Sequence, residues 1–286
     1  MQSIWSRLPL VAYLLFGIYV LLYPGSITLV ALDRVPVWGT WMGGALLILQ
    51  GSLMGLWLTI NFGRWGATAA VLILFLSWAV EHLGATTGFP FGSYTYTEVL
   101  QPQIFGVVPL AIPFAWLLIV PAAVGASELI WSRDRSPTRV SITKVMMAAS
   151  FALLLDVTIE PFAVNINRYW VWGEASASSY YGIPMSNFVA WWVTSLLLSV
   201  VLLWQQSRAA QRVRYGTISE GRAWFWPWLP LTLYLSNLTM FVVVNLAWGQ
   251  VSAAVIGTAI MLFLAAAGLL PRMMRRLRQT SEEAGV

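Results

Sequence analysis

Val145-Met-Met-Ala-Ala-Ser-Phe-Ala-Leu-Leu-Leu-Asp-Val-Thr-Ile-Glu-Pro-Phe162 is an eighteen-residue run whose only charges are Asp156 and Glu160, both near its end. A run of that length and polarity reads as a membrane span, because about 20 mainly apolar residues are needed for a helix to cross a hydrocarbon core of ~30 Å. Seven further windows satisfy the same test: Leu8 to Tyr23, Trp38 to Ile60, Trp65 to Leu83, Val108 to Ile130, Phe188 to Trp204, Trp228 to Ala247 and Val251 to Leu270. The expected fold is an all-α integral membrane protein, a polytopic helical bundle of about eight transmembrane helices placed in the cell membrane. Residues 1–275 are expected as one transmembrane domain and 276–286 as a polar cytoplasmic tail.

Composition supports this: 59% of the 286 residues are hydrophobic and 9% charged, far from a water-soluble domain. The first window follows Arg7 and stops at Pro24-Gly25, like the core of a signal peptide, but no small-x-small cleavage site follows and it is read as a span. With eight spans and a cytoplasmic N terminus, fourteen of the sixteen basic residues face the cytoplasm and only Arg34 and Arg168 lie outside. Both termini are therefore expected in the cytoplasm. The net charge of +5 orients the chain and meets anionic lipid; it does not call for nucleic acid.

Several chemistries are excluded by residue type. There is no cysteine, one histidine (His82) and one lysine (Lys144, at a rim). Histidine-rich di-iron sites, bis-histidine haem and a retinal-type Schiff base are unsupported. No metal site and no cofactor is expected.

What remains is a set of carboxylates. Asp156 and Glu160 share one helical face at i and i+4, and Glu81 closes the third window. At about 1.5 Å per residue, all three fall in the outer half of the bilayer. They lie near helix C termini, where the macrodipole and apolar surroundings disfavour negative charge, so at least one is expected to keep its proton and serve as a donor. The plainer account has Glu81 pairing with His82 or Arg168 to tie helices together. Glu98 and Glu128 read as interfacial. Two long aromatic loops, Gly84 to Glu98 and Asn165 to Asn187, lie on the same side, and Ser93 to Thr97 alternates like a short strand. Pro109, Pro113 and Pro121 are expected to bend or break the fourth span near its outer end and widen a cavity there. Much of the aromatic content suits an interfacial belt; beside buried acids, it also suits the stabilisation of a cation.

Glu81-His-Leu-Gly-Ala-Thr-Thr-Gly-Phe-Pro-Phe-Gly-Ser-Tyr-Thr-Tyr96, Pro113-Phe-Ala-Trp116, Asp156-Val-Thr-Ile-Glu-Pro161, Tyr169-Trp-Val-Trp172 and Tyr181-Gly-Ile-Pro-Met-Ser-Asn-Phe188 resemble the carotenoid biosynthesis membrane proteins of the CruF type. The resemblance runs from about Trp78 to Trp192. It implies a carotenoid 1,2-hydratase, a cofactor-independent hydro-lyase acting on lycopene, γ-carotene or a C50 carotene, with membrane lipid and other carotenoid pathway enzymes as partners. Carried onto these positions, it implies Asp156 or Glu160 as proton donor and Glu81 as the base that handles water, although the roles can be exchanged. Tyr94, Tyr96, Trp170, Trp172, Tyr181 and Trp78 would line the end-group pocket, with Asn187, Arg168 and His82 holding water or tuning a carboxylate. Three rival readings use the same residues: a proton-coupled transporter, a non-catalytic carotenoid-binding protein, and an oxygen-dependent hydroxylase.

Overall fold

The computed structural model describes residues 7–130, 140–173, 180–214 and 225–283, with side chains described up to Gln211 in the third segment and up to Leu269 in the last. The basic residues Arg133, Arg135, Arg139 and Arg222 lie outside the described residues, as does Glu174.

Eight helices are long and apolar enough to cross a membrane. They are α1 (Leu8–Ala31), α2 (Met42–Phe62), α3 (Arg64–Thr87), α4 (Ala111–Ile130), α5 (Ile142–Pro161), α6 (Met185–Arg214), α7 (Leu229–Ala247) and α8 (Val251–Glu283). The chain is an all-α polytopic membrane protein. Two short ribbons interrupt the pattern, pairing β1 (Tyr94–Tyr96) with β4 (Trp170–Trp172) and β2 (Gln103–Ile104) with β3 (Val108–Pro109), both antiparallel.

Three expectations about prolines and helix ends change. α1 does not stop at Pro24 but continues to Ala31. Pro24 withholds one N–H, yet its carbonyl accepts from Thr28 Oγ1 at 2.8 Å, and in lipid an open chain would leave far more backbone unpaired. α4 is not broken: it begins only at Ala111, which leaves Pro109 in β3 and puts Pro113 in the first turn, where a missing N–H has no cost. Glu81 does not end its helix either, since α3 runs on to Thr87 and closes at Gly88, whose φ of 78° is the left-handed conformation glycine tolerates. Glu81 thereby lies well inside the bundle.

α4 is the hub, packing against α2, α3, α5, α6, α7 and α8. Its Pro121-Ala-Ala-Val-Gly-Ala-Ser127 stretch is small enough for neighbours to approach closely, the usual way helices associate in lipid. A Cβ on Gly51 of α2 would fall on the Phe114 carbonyl of α4, and one on Gly125 of α4 would meet Pro230 of α7. α1, by contrast, buries only Ala12 and Tyr19 and sits at the periphery against α2 and α7. Exposed Leu10, Leu21, Phe75, Leu197 and Phe263 form part of the lipid-facing surface.

At the end of the bundle that carries the ribbons, α5 passes through Pro161 into a π-helical segment, Phe162–Ile166. The displaced backbone is supported from α7 and from the residue before α8: Asn245 Nδ2 donates to the Thr158 carbonyl at 2.9 Å and Gln250 Nε2 to the Pro161 carbonyl at 3.2 Å. The chain then turns back as β4 and covers the mouth of the bundle together with β1.

Candidate active site

The register of the β1–β4 ribbon builds the site. Tyr94 faces Trp172 and Tyr96 faces Trp170, so period-two alternation turns all four rings inward while Thr95 and Val171 face out. Gly173 N–H donates to the Ser93 carbonyl and Thr97 N–H to the Tyr169 carbonyl, which fixes that register at both ends.

Beneath the ribbon the two glutamates are held by separate sets of donors. Glu81 accepts from Tyr94 Oη at 2.7 Å, Tyr96 Oη at 2.8 Å and Trp116 Nε1 at 2.9 Å. Glu160 accepts from Asn187 Nδ2 at 2.8 Å, Trp170 Nε1 at 3.2 Å and Trp172 Nε1 at 3.4 Å. Both are buried. One strand of the ribbon therefore serves Glu81 and the other serves Glu160. Asp156, one turn further into α5, is fully buried, and neither of its carboxyl oxygens has a hydrogen-bond partner. The expected pairing of Glu81 with His82 or Arg168 is not what forms, because tyrosine and indole donors reach it first.

Burial, and then the Glu81 carboxylate, push the hydroxyls of Tyr94 and Tyr96 well above the ordinary tyrosine value. Both remain O–H donors throughout the neutral range. Tyr169, buried beside them, is pushed up to about 12 by the same loss of solvent.

Both glutamates line one cavity, which contains about 1120 Å³ of space between its walls, open mouth included. Tyr94, Tyr96, Trp170, Trp172 and Asn187 line it. Asp156 lies behind the wall, with its neighbours Leu155 and Ile159 facing the cavity instead. Four other sequence candidates are elsewhere. His82 stacks on Trp78 with centroids 5.4 Å apart, and Trp78 leans on Phe105 at 5.8 Å. Arg168 is an exposed turn residue at φ 52°, and Tyr181 bonds Ser252 at 2.6 Å near the start of α8. Neither Trp116 nor Trp191 is given a role of its own in the sequence, where much of the aromatic content suits an interfacial belt. Trp191 instead stacks on Trp116 at 4.1 Å, making one wall of the cavity. Gln50 and Asn237, bonded to each other at 2.7 Å, add a polar pair to that wall; an amide in the middle of an apolar window was the signal for each.

Gly84 permits this closeness. A Cβ there would come within 2.6 Å of the Phe91 ring and 2.9 Å of Tyr94 Oη. Gly84→Val is expected to push Tyr94 off Glu81, and losing that bond lowers turnover about tenfold or more, measured as product formed per amount of membrane-inserted protein.

The arrangement offers two differently held carboxyl groups, an aromatic surface and an apolar cavity inside a membrane bundle. A family profile described as carotenoid biosynthesis protein matches residues 42–264, which includes α2 to α7, both ribbons and most of the apolar part of α8. The chain is also similar to a bisanhydrobacterioruberin hydratase from Haloarcula japonica, 27% identical over 152 residues, covering 53% of this chain and 49% of the relative. It thus spans about half the length of that relative. No solved structure matches the chain. With more than three quarters of its length inside the profile and the site built from that stretch, the chain belongs to the carotenoid biosynthesis protein family.

Proposed function

We propose that the protein is a carotenoid hydratase that adds water across the terminal C=C of an acyclic carotenoid end group and leaves a tertiary alcohol. The observation that carries this reading is the pair Glu81 and Glu160: two carboxyl groups on one apolar cavity, each with its own donors, faced by the four rings of the ribbon. The name of the Haloarcula relative agrees with it.

Hydration of a trisubstituted alkene needs a proton on the less substituted carbon, a surface that tolerates the tertiary cation, and a base for the proton of the attacking water. Glu160 is the proposed acid. It lies on the cavity wall, and two of its three bonds are long, at 3.2 and 3.4 Å, so its anion is less firmly held than that of Glu81. Glu81 is the proposed base, because three donors at 2.7–2.9 Å suit a carboxylate. The π bond takes the Glu160 proton, and the adjoining carbon is left three-coordinate and positive. Water forms the new C–O bond and gives its surplus proton to Glu81. The net change is one added water. Trp170, Trp172 and Tyr96 present π faces to the transient cation, an attraction of ~0.5–2 kcal/mol per ring, and the apolar walls limit competing water. Asn187 holds Glu160 in place.

Pigments extracted from a carotene-accumulating bacterium expressing the protein, grown in H₂¹⁸O, test this. The expected product gains one water per reacted end and carries the heavy oxygen. Oxygen drawn from ¹⁸O₂ instead would transfer the site to hydroxylation, and unchanged carotenes with lycopene, γ-carotene and a C50 precursor would end the hydratase reading.

A further inference from the structure

The cavity reaches from the ribbon to α1. Tyr19, Tyr23 and Ser26 line it from α1, at i, i+4 and i+7, and Gly43, Leu47 and Gln50 line it from α2, at i, i+4 and i+7. Each set is one helical stripe. Both stripes border the cavity, which therefore reaches the α1 and α2 sides of the bundle over about two turns of each helix. α1 is peripheral and most of its surface faces outward. The same two tyrosines tie α1 to α7, which borders the cavity beside them: Tyr19 Oη donates to Ser236 Oγ and Tyr23 Oη to the Ser236 carbonyl, both at 2.7 Å. No side-chain hydrogen bond joins α1 to α2 among the described residues. α1 also lies outside the stretch matched by the family profile, 42–264.

We propose that the α1–α2 seam is a binding channel for the linear hydrocarbon tail of the substrate and the lateral passage by which it enters from the bilayer. This rests on the hydratase reading for the nature of the tail, an acyclic polyene. With its reacting end at Glu81 and Glu160, a carotene must run its remaining length out of the cavity. A lateral seam lets it do so without leaving an apolar medium, whereas an exit through the ribbon would put it into water. Gly43 admits the Tyr169 hydroxyl, which a Cβ there would strike, and Leu47 with the Tyr23 ring supplies the apolar surface for an extended chain. The Gln50 and Asn237 amides mark where the seam joins the inner cavity.

The natural chain has no cysteine, which allows a direct test. Ser26→Cys and Leu47→Cys each place one thiol on the seam, and Leu21→Cys places one on the outward face of α1, where Leu21 is 79% exposed. Full-length variants in native membranes are treated with N-ethylmaleimide, with and without lycopene dissolved in the membrane, and each is compared with itself before treatment. Modification at Ser26→Cys and Leu47→Cys is expected to lower carotene conversion about tenfold or more, and lycopene to slow the modification of those two thiols. Leu21→Cys shows neither effect. Unchanged conversion after full modification of both seam thiols, or labelling rates indifferent to lycopene, overturns the channel. If no carotene is converted even by the unmodified protein while lycopene still shields the seam thiols, the channel is supported and the hydratase reading alone fails.

Discussion

Glu160→Gln, expressed in a carotene-accumulating host, is expected to lower the yield of water-adducted carotenoid by about 100-fold or more, the usual range for loss of a general acid. The amide keeps the shape of the side chain: its one carbonyl oxygen can still accept from Trp170 and Trp172, and Asn187 can turn its own amide oxygen to the new NH2, so the ribbon and the bundle should persist and the variant should insert as well as the natural protein. The loss would be chemical. Glu81→Gln is expected to fall as far for another reason: an amide cannot take the proton of the attacking water. The two variants separate in the alkene itself. If Glu160 is the donor, Glu81→Gln still protonates the end group, so hydrogen exchange from D₂O into unreacted carotene, or double-bond migration, continues in Glu81→Gln and stops in Glu160→Gln. Exchange lost in Glu81→Gln but kept in Glu160→Gln would reverse the two roles. Full activity in both would remove the glutamates from the chemistry.

Asp156→Val is expected to raise thermal stability in detergent, or leave it unchanged, while lowering water addition about tenfold or more. The two effects share one cause. Asp156 is fully buried and neither carboxyl oxygen has a partner, and a buried polar group without a hydrogen bond costs ~1–3 kcal/mol. An apolar side chain of similar size removes that cost. A residue that destabilises its own fold is explained if it serves the reaction. Asp156 sits one turn from Glu160 and within electrostatic reach of both glutamates. In the proposed mechanism the proton collected by Glu81 must return to Glu160 after each turnover, and we propose that Asp156 carries or buffers it. Asp156→Asn, which preserves the shape and loses the acid, should show the activity loss without the gain in stability. A variant at this position that melts earlier yet turns over normally would make Asp156 a structural residue.

How much of this was legible without coordinates varies by residue. Asp156 and Glu160 stand out as charges inside an apolar run, and their i, i+4 spacing placed them on one face. The same spacing could not say which of them reaches the cavity. That depends on the rotation of α5 against α4 and α6, and it turned Glu160 to the wall and Asp156 behind it. Tyr94 and Tyr96 were legible as an alternating strand, whereas Trp170 and Trp172 read only as aromatic residues of a long loop. Their pairing, 78 residues apart for Tyr94 and Trp172, was not, because strand register across distant loops is set by packing. His82, Arg168, Trp78 and Tyr181 drew attention as polar or aromatic neighbours of the motif. Each found its contacts outside the cavity, since neighbours in sequence on a helix or turn point in different directions.

The sequence by itself determined the solvent and the elements: eight apolar runs long enough for helices that satisfy their own backbone in lipid, and three acids that lipid makes costly. Those are local properties, read from length and composition. The tertiary structure alone decided that Glu81 is held by tyrosines and an indole, that Glu160 takes its donors from the opposite strand, and that Trp116 stacks on Trp191. It also decided that α1 borders a cavity whose acids lie on other helices. Each of these joins residues remote in the chain, and distance along a sequence carries no information about distance across a bundle until the helices have packed.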